Sequence, residues 1–140
     1  MSGKIMGSVT HGIIVAEQYA KAILDGRKSW EMRTRRWSHR GPVGVIVAGS
    51  GKVFGVAEMV DCVELPDDEA VILAAADRHL VTSPADLRSR EGNLRRFAWV
   101  LRSPCAFESP TPYSHKRGSQ TPVMFTEDEQ RRIAQAAAIR

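Results

Sequence analysis

Near the start of the chain a short continuous apolar run is followed by apolar residues at helical spacing. A short apolar run at His11–Val15 is typical of a strand, and from residue 16 to residue 25 the apolar residues recur at helical spacing. Gly26 follows at once, and glycine is a common residue just past the end of a helix. The pattern therefore predicts a strand and then a helix that ends at Gly26.

Residues 28–33 alternate between apolar and polar in the manner of a strand. Trp30 and Met32 fall on one face, whereas Glu31 and Arg33 share the other. Lys28 would join the first face if the strand began there, but it lies at the helix exit, where the pleat does not yet fix side-chain direction. We therefore expect Glu31 and Arg33 to be neighbours and assign Lys28 to neither face.

Later patterns predict a hairpin, an inserted pair of helices and two closing strands. The predicted elements are strands over residues 43–48 and 53–63, helices over 69–80 and 83–90, and strands over 96–101 and 121–125. Three prolines between residues 103 and 112 argue against a central strand there. Thr126, followed three residues later by Glu129, forms a capping box that predicts a terminal helix over residues 127–138.

Length and composition fit one globular domain. The chain has 140 residues, of which 43% are hydrophobic and 26% charged, so we expect a single domain over residues 1–140 with its core at about 11–125. No apolar run approaches the roughly 20 residues that cross a bilayer, and the first ten residues lack the apolar block of a secretory signal. We expect a cytoplasmic protein without a membrane partner.

Charge is divided sharply along the chain. Residues 27–40 carry six cations and one anion, whereas residues 53–77 carry seven acids and no Lys or Arg. Five arginines between residues 85 and 102, and the pair Lys116 and Arg117, form two further basic islands. Such islands favour a nucleic-acid partner, and the alternative is that they pair with the acidic segment on the surface.

Several motifs of enzymes and metal sites are missing. The segment before Lys52 lacks the first glycine of a phosphate-binding loop, and Val53 stands where such a loop has Ser or Thr. The four histidines show no zinc-ligand spacing, and no GxSxG elbow occurs. The sequence predicts no metal ion and no cofactor.

One run of residues is specific. GRKSWEMR at positions 26–33 and WSHRG at positions 37–41 are followed by GVAEMVD at 55–61 and FAWVLRSP at 97–104. This series resembles the ASCH family, the activating signal cointegrator homology domains, whose pattern is a helix, GxKxxExR, a loop ending in HRG, and a G-x-V-x-x-V-D-like strand. The resemblance covers about residues 11–125.

The resemblance implies an α+β fold, a small PUA-like β-barrel with flanking helices, and RNA as the usual ligand of that superfamily. It also implies that Lys28, Glu31 and Arg33 line a cleft. Some ASCH relatives are acetylcytidine amidohydrolases or a ribonuclease, so the alternative function is a hydrolase acting on RNA or modified nucleosides, with Lys28 and Glu31 as catalytic residues. The amidohydrolases carry Thr where this chain has Glu31, so only Lys28 matches their catalytic set.

We predict a module that binds RNA or another single-stranded nucleic acid. Its candidate binding residues are Lys28, Glu31, Arg33, Arg36, Trp37, His39, Arg40, Tyr113, His115, Lys116 and Arg117. Aromatic residues on basic loops suit unpaired bases, because stacking on one contributes about 1–3 kcal/mol per base. The open alternatives are that Trp37 closes the barrel end, that Glu31 and Arg33 form an ordinary surface ion pair, and that the acidic insert at 65–92 binds a protein partner. The oligomeric state is left open.

Overall fold

The computed structural model describes residues 8–115 and 122–139. Its strands are β1 (His11–Val15), β2 (Trp30–Arg33), β3 (Gly41–Val47), β4 (Lys52–Glu64), β5 (Phe97–Pro112) and β6 (Val123–Met124). Its helices are α1 (Glu17–Leu24), α2 (Glu69–Leu73), α3 (Ala76–His79) and α4 (Glu127–Ala138), with a 3₁₀ turn at Pro84–Leu87. Within the described ranges no helix is long and apolar enough to cross a bilayer.

All six strands form one mixed sheet in the order β2-β5-β4-β3-β1-β6. β1 runs parallel to β3, and the remaining neighbours are antiparallel. In the described residues β2 and β6 are the outer strands and do not pair with each other, so the sheet is a half-barrel. The α+β fold with a small ASCH-like barrel and flanking helices, expected from the sequence, is confirmed in the form of this half-barrel.

The ends of the chain's regular elements follow local sequence rules. α1 ends before Gly26, whose φ of 87° is a left-handed conformation that glycine adopts without steric cost. α4 begins at the predicted capping box, where the Thr126 hydroxyl accepts from the Glu129 N–H and the Glu129 carboxylate accepts from the Thr126 N–H. Both helix predictions are confirmed.

The strand predicted over residues 96–101 continues through the proline-rich segment, which was not expected to be a central strand and has one neighbouring strand only among the described residues. β5 continues to Pro112, paired with β4. Pro104 lies in a register shift opposite residues 56–58, beside Ser103 at a φ of 51°. Beyond residue 101 the register of β5 in the described sheet is with β4 alone, so its prolines occupy a bulge and a strand edge, where a missing N–H costs no ladder hydrogen bond.

The insert also differs from the prediction of two longer helices. The helix expected over 69–80 is split into α2 and α3, and Leu80 ends α3 in a left-handed conformation with φ 63°. The helix expected over 83–90 is only the 3₁₀ turn Pro84–Leu87. The insert packs through a cluster of buried apolar residues, which we call the insert core: Met32, Ile72, Val81, Leu87, Leu94 and Ala98.

Two further clusters pack against the sheet. The sheet core lies beneath α1 and contains the almost completely buried Trp99 together with Ile13, Ile23, Val43, Val45, Met59 and Leu101. The α4 core lies beneath the terminal helix and contains Phe107, Tyr113, Phe125 and Ile133. Trp30 differs from Trp99 in being half-buried, against the insert core.

Candidate functional site

The alternation of β2 places its two charged residues on the face of the sheet core. Glu31 lies directly opposite Trp99 on β5, and directly opposed residues of an antiparallel pair share a face. Met32 and Trp30 point the other way and pack in and against the insert core. The predicted division of Glu31 and Arg33 from Trp30 and Met32 is confirmed, and the insert makes both faces of β2 interior surfaces.

Lys28, Glu31 and Arg33 form a nearly buried ion triad. The Glu31 carboxylate lies 2.9 Å from Arg33 Nε through one oxygen and 3.6 Å from Lys28 Nζ through the other. The side chain of Lys28 is 1% exposed, that of Glu31 11% and that of Arg33 12%. Arg33 also donates from Nη2 to the Ile14 carbonyl oxygen at 2.7 Å and stacks its guanidinium 5.2 Å from the Trp99 ring. These contacts hold the Arg33 fork in one orientation, unlike an exposed surface pair.

Lys28 joins this triad because of tertiary contacts, not because of the strand pleat. Its ammonium donates to the His79 carbonyl oxygen and lies 4.7 Å from the centre of the Tyr19 ring. Burial lowers the pKa of Lys28, and the neighbouring Glu31 carboxylate acts in the opposite direction. The result is a buried amine held between a carbonyl, a carboxylate and an aromatic face.

A cleft of about 370 Å³ opens over the triad. One wall comes from the end of β1 and the start of α1, and the other comes from the insert and the residues just after it. The charged and aromatic residues of the lining are Tyr19, Lys28, Glu31, Arg33, Asp86, Arg88 and Arg95. Four cations against two acids give the cleft an excess of positive charge, which favours an anionic ligand.

The insert residues of this cleft were not among the candidates from the sequence. Arg88 lies 3.4 Å from Glu69, so its charge is partly offset. Arg95 is half-buried and has no carboxylate at ion-pair distance in the described part of the chain. The arginine-rich stretch 85–102 was a visible signal in the sequence, but only the folding of the insert over β2 shows that it meets the motif.

Tyr19 is the aromatic residue of the cleft. Burial raises its pKa, and the carboxylates of Asp86 and Glu31 raise it further. The phenol is therefore neutral at physiological pH, with Lys28 against its ring. Its helical position in α1 gave no sign of this placement, because a tyrosine at helical spacing is most often part of the core.

The loop arginines Arg36 and Arg40 are exposed and engage the acidic segment. Arg36 pairs with Glu64, whose carboxylate also binds Arg96, and the Arg40 guanidinium lies 3.9 Å from Asp61. The alternative that basic and acidic segments pair on the surface therefore describes these two residues. Neither lines the cleft over the triad.

Trp37 and His39 form a partly buried aromatic cluster next to the triad. Their rings stack with centroids 4.7 Å apart and an angle of 19°, and the Trp37 ring lies 4.9 Å from Trp99. Trp37 packs against the sheet core, as expected if it closes one end of the sheet. His11 completes the cluster at 5.1 Å from His39, and burial and then His39 lower its pKa. Trp99 connects this cluster to Arg33.

The second loop named from the sequence lies apart from the cleft. Tyr113 is buried in the α4 core, with its hydroxyl 3.2 Å from Nδ1 of the exposed His115. Neither residue is in the lining of the cleft over the triad, and their part in ligand binding stays a prediction. The Tyr113 ring packs edge-on against Phe125. Lys116 and Arg117 lie outside the described residues.

A mixed six-stranded half-barrel with few helices is the fold of ASCH domains. The crystal structure of ASCH from Zymomonas mobilis is 17% identical, covers 89% of this chain and 93% of that chain, and has a TM-score of 0.69. A Tyr-to-Phe variant of that protein is 17% identical, covers 89% of this chain and 96% of that chain, and has a TM-score of 0.70. A Ser-to-Ala variant is 16% identical, covers 89% of this chain and 94% of that chain, and also has a TM-score of 0.70. No family model and no curated protein matches the sequence. The resemblance drawn from the GxKxxExR motif is thus confirmed at the level of the fold.

Proposed function

We propose that this protein binds RNA or another single-stranded nucleic acid through the cleft over the ion triad. The observation that supports this most is that two arginines of different kinds line the same cleft. Arg33 has an oriented guanidinium, and the half-buried Arg95 has no carboxylate partner in the described residues. A fixed fork binds a phosphate or the edge of a base with little loss of side-chain entropy. Arg95 then supplies an uncompensated charge for the sugar-phosphate backbone.

The volume and lining of the cleft suit one nucleotide unit. About 370 Å³ is at the lower end of the range for small-ligand pockets. Tyr19 offers an apolar ring at the wall, and the stacked rings of Trp37 and His39 lie outside the cleft lining, on the other side of Trp99 from Arg33. Arg36 and Arg40 can bind a longer nucleic-acid strand only if its phosphates displace Glu64 and Asp61 from them. We therefore expect these two arginines to contribute less to binding than Arg95.

Salt-dependent binding of a labelled single-stranded RNA tests the proposal. We expect affinity to fall steeply between about 50 and 300 mM salt, with each lost phosphate contact reducing the slope of log affinity against log salt by about 0.7. Arg95→Gln is expected to weaken binding about tenfold and to reduce that slope by about one contact. Arg131→Gln is the matched control, because Arg131 is an exposed arginine on α4 that pairs with Asp128.

The proposal is contradicted if the wild-type affinity is insensitive to salt or if the two arginine variants bind equally. DNA of the same sequence, run in parallel, decides whether the 2′-hydroxyl is recognised. A separate pull-down addresses the interaction of the insert with a protein: a partner captured after nuclease treatment but lost on altering residues 65–92 would favour that role instead.

One observation favours the hydrolase alternative. Lys28 lies in the cleft with a lowered pKa, which brings an amine closer to the range of a general base. Both oxygens of Glu31 are engaged by cations, so the carboxylate orients Lys28 and Arg33 and is less available as a second catalytic group. Incubation with RNA and with acetylated cytidine tests this role, and product formation that Lys28→Ala abolishes would establish it.

A further inference from the structure

His79 is completely buried, and its ring holds together two separate parts of the insert. Nε2 lies 2.7 Å from the Ile72 carbonyl oxygen of α2, and Nδ1 accepts from the Val81 N–H at 2.9 Å. The first contact requires a proton on Nε2 and the second requires a lone pair on Nδ1. The pair of contacts therefore fixes the neutral ring in a single tautomer.

The main chain of the same residue holds Lys28. The His79 carbonyl oxygen accepts from the Lys28 ammonium, and the neighbouring Arg78 carbonyl accepts from the Ser29 N–H at 3.0 Å. Leu80 reverses the chain immediately afterwards in a left-handed conformation. The bond from Val81 to the His79 ring spans this reversal, so the ring determines where the carbonyl points.

Val81, which that bond anchors, is also the first insert residue of the cleft wall. The wall continues through Ala85, Asp86 and Arg88. A displacement of the reversal at residues 79–81 would therefore move the wall and release Lys28 together. His79 thus contacts both the motif side of the cleft, through Lys28, and the insert side, through Val81.

We propose that His79 is a positioning residue that couples the burial of Lys28 to the closure of the insert over the cleft. The inference rests on the proposed function in that the cleft is taken as the ligand site. The groups that face the ring are Lys28 across the β2 entry and Asp77 on α3. An imidazolium would lose the Nδ1 acceptor and repel Lys28, so the closed wall requires a neutral ring.

Two substitutions separate the contacts of the ring. His79→Asn retains an oxygen near the position of Nδ1 and can still accept from Val81, whereas His79→Gln retains an N–H near the position of Nε2 for Ile72 and loses the acceptor for Val81. The readout is the pKa of Lys28 by NMR titration of its side-chain nitrogen in the free protein, assigned with Lys28→Arg. RNA affinity is measured alongside.

Because burial is the largest cause of the lowered pKa of Lys28, opening of the wall should raise it toward the ordinary lysine value. We expect the pKa of Lys28 to rise in His79→Gln, with RNA binding weakened about tenfold, and both quantities to stay near wild type in His79→Asn. A Lys28 pKa unchanged in both folded variants overturns the proposal, as does an equal rise in both. If the wild-type protein binds no RNA, the proposed function is refuted instead. The pKa of Lys28 in the two variants then still tests the positioning role of His79.

Discussion

Replacing Glu31 by Gln removes the one carboxylate between two nearly buried cations while keeping the shape of the side chain. Lys28 and Arg33 then face each other across a neutral amide, and Lys28 keeps only the His79 carbonyl as a strong acceptor. Removal of one partner from a buried ion pair costs about 3–5 kcal/mol, because the remaining charge is left uncompensated. Since Glu31 and Arg33 retain slight exposure and the amide oxygen still accepts, we expect a loss of about 3 kcal/mol.

The chain supplies a matched control at the surface. Glu64 also bridges two arginines, Arg36 and Arg96, but its side chain is 35% exposed, compared with 11% for Glu31. Glu64→Gln should therefore cost less than about 1 kcal/mol. The stabilities of the two variants are compared by urea and thermal unfolding at pH 7. The expected loss in Glu31→Gln corresponds to a thermal midpoint about 10 °C below that of the wild type.

A double variant tests whether charge causes the loss of stability in Glu31→Gln. If the loss in Glu31→Gln comes from an uncompensated ammonium, the added substitution Lys28→Met should recover part of it. Equal stabilities for Glu31→Gln and Glu64→Gln would refute the reasoning. A double variant less stable than Glu31→Gln alone would show that packing, not charge, dominates at this position.

Three further predictions concern the scaffold. Gly55→Ala should destabilise by about 2 kcal/mol in urea unfolding, because the new Cβ would lie 2.5 Å from the Cys105 carbonyl oxygen, which is backbone and cannot turn aside; wild-type stability would contradict this. Ser103→Gly should stabilise by up to about 1 kcal/mol by relieving a φ of 51°, and Ser103→Ala should not. Burial lowers the pKa of His79 below its unfolded value of 6.5, so its contribution to stability is complete above pH 6.5 and is lost as pH falls through the folded pKa; chemical unfolding from pH 8 to pH 5 should show this decline, and His79→Gln should reduce it.

Local pattern was enough to predict the elements whose ends depend on nearby residues. The strand β1, the stop of α1 at Gly26, the hairpin of β3 and β4 and the capping box of α4 all follow from spacing, glycine conformation or a cap within a few residues. β5 was predicted too short because prolines were interpreted without knowledge of the strand's neighbours. Its prolines are tolerated because only β4 pairs with that part of β5, a fact that depends on sheet order.

The amino-acid sequence specifies the alternation that pairs Glu31 with Arg33 and the basic islands on either side of an acidic block. The three-dimensional fold sets which charges remain available for a ligand, because ion pairing depends on distances between segments far apart in the chain. It joined Glu64 to Arg36, buried Lys28 under His79, and brought Arg95 to the motif. Local periodicity fixes the face on which a side chain lies, whereas the desolvation and pairing that give that side chain its chemistry arise from packing.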